Sequence, residues 1–319
     1  MKVLSFNMGA DTGGVSIANK RAFDAYAPAG WEFRSMVSTV NYIGYPTDIP
    51  WSVGGVQQWW EWADVVHLHH NFASSGRVEV GFKSLPRLPR KPYVLEFHGE
   101  GDFAGGSNRF RSVAEARAAC RQKRAIPVVS TLNTFLLAPD LFEWVPVPYS
   151  IEALQELRSR FYRPRGRLRI GHAPTNRELK NTDELILAVD DLQAAGKDVE
   201  LVLIEHEPWR TCLRHKATCD IFVDQVGLSY GCNALESAGM GLPTIAGGQS
   251  ATIAEAVRRF GRWPFALAQE GGIGEELERL VDSEEYRAEV AGLGFEYVSK
   301  VHGGQAVVEQ LVSIYERAA

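Results

Sequence analysis

One stretch, residues 220–246, limits what this chain can fold into more than any other. Ile221, Phe222 and Val223 form a short apolar run bounded by Asp220 and Asp224, the pattern of a strand covered on both faces. Tyr230 and Gly231 allow a tight turn, and a helix from Asn233 begins there with its N–H groups pointing outward. Such an N-terminus suits phosphate or another electron-rich group. Glu236, on the first turn, can accept hydrogen bonds from a bound hydroxyl. Gly239 and Gly241 end the helix, Pro243 bars its continuation, and a second buried strand follows. An ordinary strand–loop–helix–strand unit without a ligand would show the same pattern.

The alternation extends to both halves of the chain. Val3 to Phe6 predicts a buried strand, Gly13-Gly14 a loop, and apolar residues at helical spacing a helix over Val15–Tyr26. The loop lacks the G-x-G-x-x-G dinucleotide fingerprint. Its glycines fit close backbone approach to a ligand, and equally a plain tight turn. Strands follow at 31–37, 64–71, 93–97, 127–131 and 142–147, with a helix at 57–62. The second half repeats the pattern, with strands at 168–172, 199–204, 221–223 and 265–267. Its helices are expected at 151–161, 184–195, 208–218 and 249–260, with Thr182 or Asp183 as the cap of the second. The expected fold is α/β, with two doubly wound, Rossmann-like domains facing across a cleft. Their expected extents are 1–148 and 149–300, with a helix at 301–319 packing back on the first.

Composition excludes several function classes. The chain has 319 residues, 45% hydrophobic and 23% charged, with a net charge of −5, so it fills two cores and has no global attraction to nucleic acid or anionic membrane. Cys120, Cys212, Cys219 and Cys232 are irregularly spaced, which argues against a disulfide framework and for a reducing compartment. With no signal peptide and no membrane-length apolar run, a cytoplasmic protein is expected. Residues 77–124 hold eleven Lys/Arg against five Asp/Glu. They read as solvated surface, or as attraction toward an acidic acceptor or peripheral contact with a membrane. Trp59, Trp60 and Trp62 fit packing against the sheet better than stacking on sugar, lipid or base.

Polar candidates gather at strand ends. His98, Glu100 and Asp102 follow the 93–97 strand beside Gly105, Gly106 and Arg109, the best polar cluster of the N-terminal half. His67 and His69 end another strand but lack identifiable partners for a metal. Arg177 and Lys180 stand at a loop–helix junction where they can neutralise a diphosphate, Arg through its fork and Lys as a point charge. Cys212, His215 and Cys219 share a helix without the paired knuckles of a structural zinc.

These residues together resemble the retaining GT-B glycosyltransferases of family four. Asp224-Gln225, Tyr230-Gly231 and Ala234 to Pro243 are similar to that family's donor-binding signature, and His172 to Thr182 to its diphosphate loop. Gly13-Gly14, Asp64 to His67 and His98-Gly99 resemble its N-terminal glycine loop, third-strand motif and active-site histidine. Lys300 to His302 and Leu311 to Glu316 resemble its C-terminal helices. Two departures stand out. Leu228 occupies the place of the family's second glutamate, and Asn181 that of a glycine, with Arg177 closer to Lys180 than is usual.

The resemblance implies transfer of a sugar from a UDP-, GDP- or ADP-sugar to an acceptor, with retention and without a metal or other cofactor. Glu236 would bind ribose, and His98, Arg177 and Lys180 would act at the reacting sugar and diphosphate. Gly13, Gly14, Asn176, Asp224, Gln225, Tyr230, Gly231, Cys232 and Asn233 would complete the donor site, with Glu100 and Arg109 on the acceptor side. The acceptor is left open among glycan, lipid carrier, small molecule, protein and modified DNA base. Lys180→Ala is expected to lower turnover far more than it disturbs folding. A nucleotide-sugar epimerase of the same architecture and a non-catalytic nucleotide-sugar binding protein are the competing readings.

Overall fold

The computed structural model describes residues 1–7, 11–69, 90–99 and 112–319. They divide into two units, Met1–Pro148 with Gly304–Ala319, and Tyr149–Gly303. The first contains β1 (Lys2–Asn7), α1 (Val15–Tyr26), β2 (Glu32–Val37), α2 (Val53–Trp62), β3 (Val65–His69) and β4 (Tyr93–Phe97). It continues with α3 (Val113–Lys123), β5 (Ile126–Val129), α4 (Leu132–Leu136) and β6 (Glu143–Trp144). The strands form one parallel sheet in the order β2-β1-β3-β4-β5-β6. Parallel strands need helical crossovers that cover both faces, which is why all five residues of β3 are buried. Ser52 and Ser112 start α2 and α3 by accepting the N–H of Gly55 and Glu115.

The second unit contains α5 (Ile151–Phe161), β7 (Leu168–His172), α6 (Thr182–Ala194), β8 (Val199–Leu203), α7 (Trp209–Lys216) and β9 (Ile221–Val223). It ends with α8 (Cys232–Gly239), β10 (Thr244–Ile245), α9 (Ser250–Phe260), α10 (Ile273–Asp282) and α11 (Glu284–Val301). Its sheet is also parallel, in the order β10-β9-β7-β8. The last helix, α12 (Gly304–Ala318), belongs to the first unit, where Val307, Val308, Leu311, Ile314 and Tyr315 are buried against Val3, Phe23, Phe33 and Val65.

Several local expectations change. The stretch 265–267 makes only an isolated bridge, Ile245 with Ala266. Helix α2 begins at Val53, ahead of the expected 57. Neither Thr182 nor Asp183 precedes α6 as its cap. Asn181 does, in the left-handed region at φ 53° and without a side-chain bond to the helix, while the Thr182 hydroxyl meets His172 Nε2 at 2.9 Å. The tryptophans pack. Trp60 is fully buried edge-on to Phe6, and Trp59 lies under the Arg34 guanidinium, 4.8 Å from its ring. In the basic segment, Lys91 is bound to the carbonyls of Glu61 and Ala63, and Arg117 to Asp140. Among the described residues, no helix is long and apolar enough to cross a membrane.

Candidate functional site

In the second unit the polar side chains collect at the carboxyl ends of β7 and β9, where open α/β sheets bind ligands. Lys180 comes from the loop after β7 and places its Nζ 2.5 Å from Asp224 Oδ1, at the end of β9. Asp224 Oδ2 accepts the N–H of Gly231 at 2.7 Å, which ties the β9–α8 loop to the same carboxylate. Burial raises the Asp224 carboxyl, but the Lys180 ammonium and the Gly231 N–H outweigh it and hold the group below its ordinary value. A Cβ on Gly231 would stand 3.1 Å from Asp224 Oδ2 and 3.2 Å from Lys180 Nζ, so the lysine reaches this point because the loop has no side chain there. Beyond Gly231, α8 begins without a side-chain cap, and the N–H groups of its first turn have no acceptor within the helix.

One turn further along α8, both Glu236 oxygens already accept hydrogen bonds. Trp209 Nε1 donates to one at 2.7 Å, and the fully buried Lys216 pairs with the other. Lys216 also donates to Asn233 Oδ1 at 2.5 Å, and Asn233 Nδ2 reaches the Ala173 carbonyl at 2.7 Å. Burial alone would lower the Lys216 ammonium; the Glu236 carboxylate reverses this and raises it, so Lys216 keeps its charge. Each Glu236 oxygen keeps a second lone pair for a ligand hydroxyl. Cys232 sits close to Glu236, Lys180 and Lys216, and burial pushes its thiol up, which favours the neutral form.

Other expected donor residues have partners of their own. Arg177 is half-exposed and forms a two-pronged pair with Glu205, at 2.8 and 2.5 Å, beyond the end of β8. Asn176 Oδ1 accepts the N–H of Leu179 and shapes the loop. Gln225 is folded back on the Ser229 carbonyl. Tyr230 points inward, its hydroxyl 2.5 Å from that of Tyr297 and its ring among Trp263, Phe265 and His302, so only its backbone borders the site. Leu228 is 36% exposed in the same loop. Cys212, His215 and Cys219 do not form a metal-ligating group. Lys216 and Trp209 are not among the residues the sequence marks as functional, although Lys216 falls three residues after the buried Leu213, on the apolar face of α7.

In the first unit Gly13 and Gly14 both have positive φ, 64° and 69°, and a Cβ on Gly14 would lie 2.7 Å from the Tyr45 ring. Both the turn and the close approach exclude other residues. His98 follows β4 and its Nε2 lies 2.9 Å from His69 Nδ1. Glu100, Arg109 and the remainder of that cluster lie outside the described residues, as does most of the 77–111 basic stretch. Glu96, an acid inside a strand covered on both faces, was the unread signal here. It meets the two histidines for which no partner was expected.

No protein-family profile matches the chain, and none of the curated proteins compared with it is similar in sequence. Its architecture is that of the GT-B glycosyltransferases, built of two Rossmann-like units. HepE of Anabaena, solved in complex with UDP and glucose, is 13% identical with a TM-score of 0.65 over 99% of this chain and 100% of that one. An alpha-glucosyltransferase solved with UDP and a 13-mer DNA containing a central A:G mismatch is 11% identical, with a TM-score of 0.62 over 98% of each chain. A Listeria monocytogenes protein described as a UDP-N-acetylglucosamine 2-epimerase is 14% identical, with a TM-score of 0.58 over 99% of this chain and 95% of that one.

Proposed function

We propose that the protein is a retaining glycosyltransferase that moves a sugar from a nucleoside-diphosphate sugar to an acceptor hydroxyl. The observation that carries this reading is the convergence of the Lys180 ammonium and the N-terminus of α8 at the carboxyl end of the second sheet. A diphosphate placed there shares the Lys180 ammonium, which has three N–H donors, with Asp224 and accepts the first-turn N–H groups. Both stabilise the charge that grows on the leaving group, a contribution of about 3–4 kcal/mol for a single well-placed donor. Arg177 exchanges Glu205 for a diphosphate oxygen. Glu236, oriented by Trp209 and Lys216, accepts the ribose hydroxyls through its remaining lone pairs. His98 is assigned to the donor sugar and Leu228 to a sugar contact that is apolar. Attack from the leaving-group face retains configuration, and the departing phosphate takes the acceptor proton.

That neighbours of this fold were solved with UDP or UDP-glucose supports a uridine donor among the three candidates. The DNA complex of one neighbour keeps a DNA base among the acceptors, beside glycan, lipid carrier and small molecule. Thermal shifts against UDP-, GDP- and ADP-sugars test the donor site: stabilisation by one nucleotide class is expected, and no shift with any of them would sink the reading. The epimerase alternative draws on the Listeria neighbour. Incubation with donor alone separates the two, because an epimerase returns an isomerised nucleotide sugar and a transferase does not.

A further inference from the structure

Within the first unit lies a second polar constellation, separate from the residues assigned to the diphosphate. His67 and His69 occupy one face of β3, and Glu96 faces them from β4, whose register pairs His69 with Glu96. Glu96 Oε2 is 3.0 Å from His67 Nε2 and 3.5 Å from His69 Nδ1. The three residues are at most 2% exposed, and their three donor atoms lie within 4.8 Å of one another. Despite that proximity, His67 Nε2 and Glu96 Oε2 are buried and form no well-directed hydrogen bond. A carboxylate oxygen left in that condition is costly, so a further group that satisfies it gains stability.

The far edge of each ring is anchored by a hydroxyl. His67 Nδ1 lies 2.7 Å from Tyr315 Oη, and His69 Nε2 lies 2.7 Å from Ser5 Oγ. When each hydroxyl accepts the ring N–H, the opposite nitrogens present lone pairs toward Glu96. That arrangement orients histidines that ligate metals. We propose that His67 Nε2, His69 Nδ1 and Glu96 Oε2 bind one divalent transition-metal ion, with zinc favoured by the donor set. Bonds of about 2.0–2.1 Å in tetrahedral geometry place ligand atoms about 3.3 Å apart. The two contacts to Glu96 bracket that value. Two imidazoles disfavour magnesium and calcium, which prefer oxygen donors.

Ion entry requires local adjustment. The His67 and His69 rings are 9° from parallel with centroids 4.8 Å apart, so at least one turns about its Cβ–Cγ bond to point its lone pair at a shared ion. His69 Nδ1 also exchanges its 2.9 Å contact with His98 Nε2 for a metal bond, which couples the ion to His98. Three protein ligands leave the fourth tetrahedral place to a further donor. The site departs from the expectation of a metal-free protein and stands independently of the sugar-transfer reading.

The test uses the full chain, purified without added chelator and analysed for metal content, then stripped and titrated with Zn²⁺ and with Co²⁺. We expect one equivalent of zinc, a rise in melting temperature when Zn²⁺ is restored, and the intense visible absorption of four-coordinate Co²⁺. Glu96→Gln and His69→Gln should each weaken Zn²⁺ binding at least tenfold, whereas His215→Asn, on an exposed position of α7, should leave it unchanged. Circular dichroism of each variant separates loss of metal from loss of fold. A wild-type chain that retains no stoichiometric metal, or whose Co²⁺ spectrum is six-coordinate, overturns the proposal and leaves a hydrogen-bonded histidine–carboxylate cluster.

Discussion

Lys180 is tied to stability as well as to the proposed chemistry, and its pairing changes what a substitution reports. Asp224 is fully buried, so Lys180→Ala leaves a carboxylate without its cation, at a cost of about 3–5 kcal/mol. Lys180→Ala therefore carries a stability cost of its own beside the larger loss of turnover expected of it. Lys180→Ala with Asp224→Asn should recover most of that stability while transfer stays depressed at least a hundredfold. Urea unfolding and initial rates on the single and double variants check both halves. Asp224 also sets an acid limit. Its folded-state pKa lies below its ordinary value, so its contribution is complete above about pH 4 and is lost as pH falls through the folded value. Asp224→Asn should therefore flatten the acid limb of a stability–pH curve. The sequence made Lys180, Glu236 and Gly231 legible because loop, helix start and glycine are local signals. It concealed Lys216 and Glu205, whose importance depends on partners 20 and 28 residues away.

At the scale of elements, the helices and strands were readable wherever one periodicity ran uninterrupted. Helix α1 spans Val15–Tyr26 and β4 spans Tyr93–Phe97 because apolar spacing alone decides them. Edges were less legible, since Asn181 in the left-handed region and the Thr182–His172 contact are tertiary choices. The loop between β10 and α9 shows how tightly the second sheet's carboxyl edge is assembled. A Cβ on Gly247 would lie 2.0 Å from the Ala268 carbonyl oxygen and 2.5 Å from that of Val226, both backbone atoms that cannot step aside. Gly247→Ala should cost about 3 kcal/mol, read as a lower urea midpoint at unchanged slope. Gly261→Ala provides a contrast: its neighbourhood is open, and its φ of 81° is the only strain. That substitution should cost about 1 kcal/mol.

At the scale of the whole molecule, the chain closes its first unit with its last helix. A C-terminal helix packing back on the first domain is the expectation from the sequence; the surface α12 covers is built from Val3, Phe23, Phe33 and Val65, near the other end of the chain. Val307, Val308, Leu311, Ile314 and Tyr315 are each at most 1% exposed. Around Tyr315 gather Phe23, Trp31 and Phe33, and its hydroxyl meets His67 in β3. Five such side chains at about 1.5–3 kcal/mol each give on the order of 10 kcal/mol of burial, comparable to the whole stability of an ordinary domain. Residues 1–148 alone should therefore lack a cooperative unfolding transition. The same residues joined to 304–319 through a flexible linker should regain one, since a linker's closure entropy grows only slowly with its length. Near-ultraviolet circular dichroism and urea titration of both chains decide the matter. A cooperative transition for 1–148 alone would show that the first sheet keeps its core without α12.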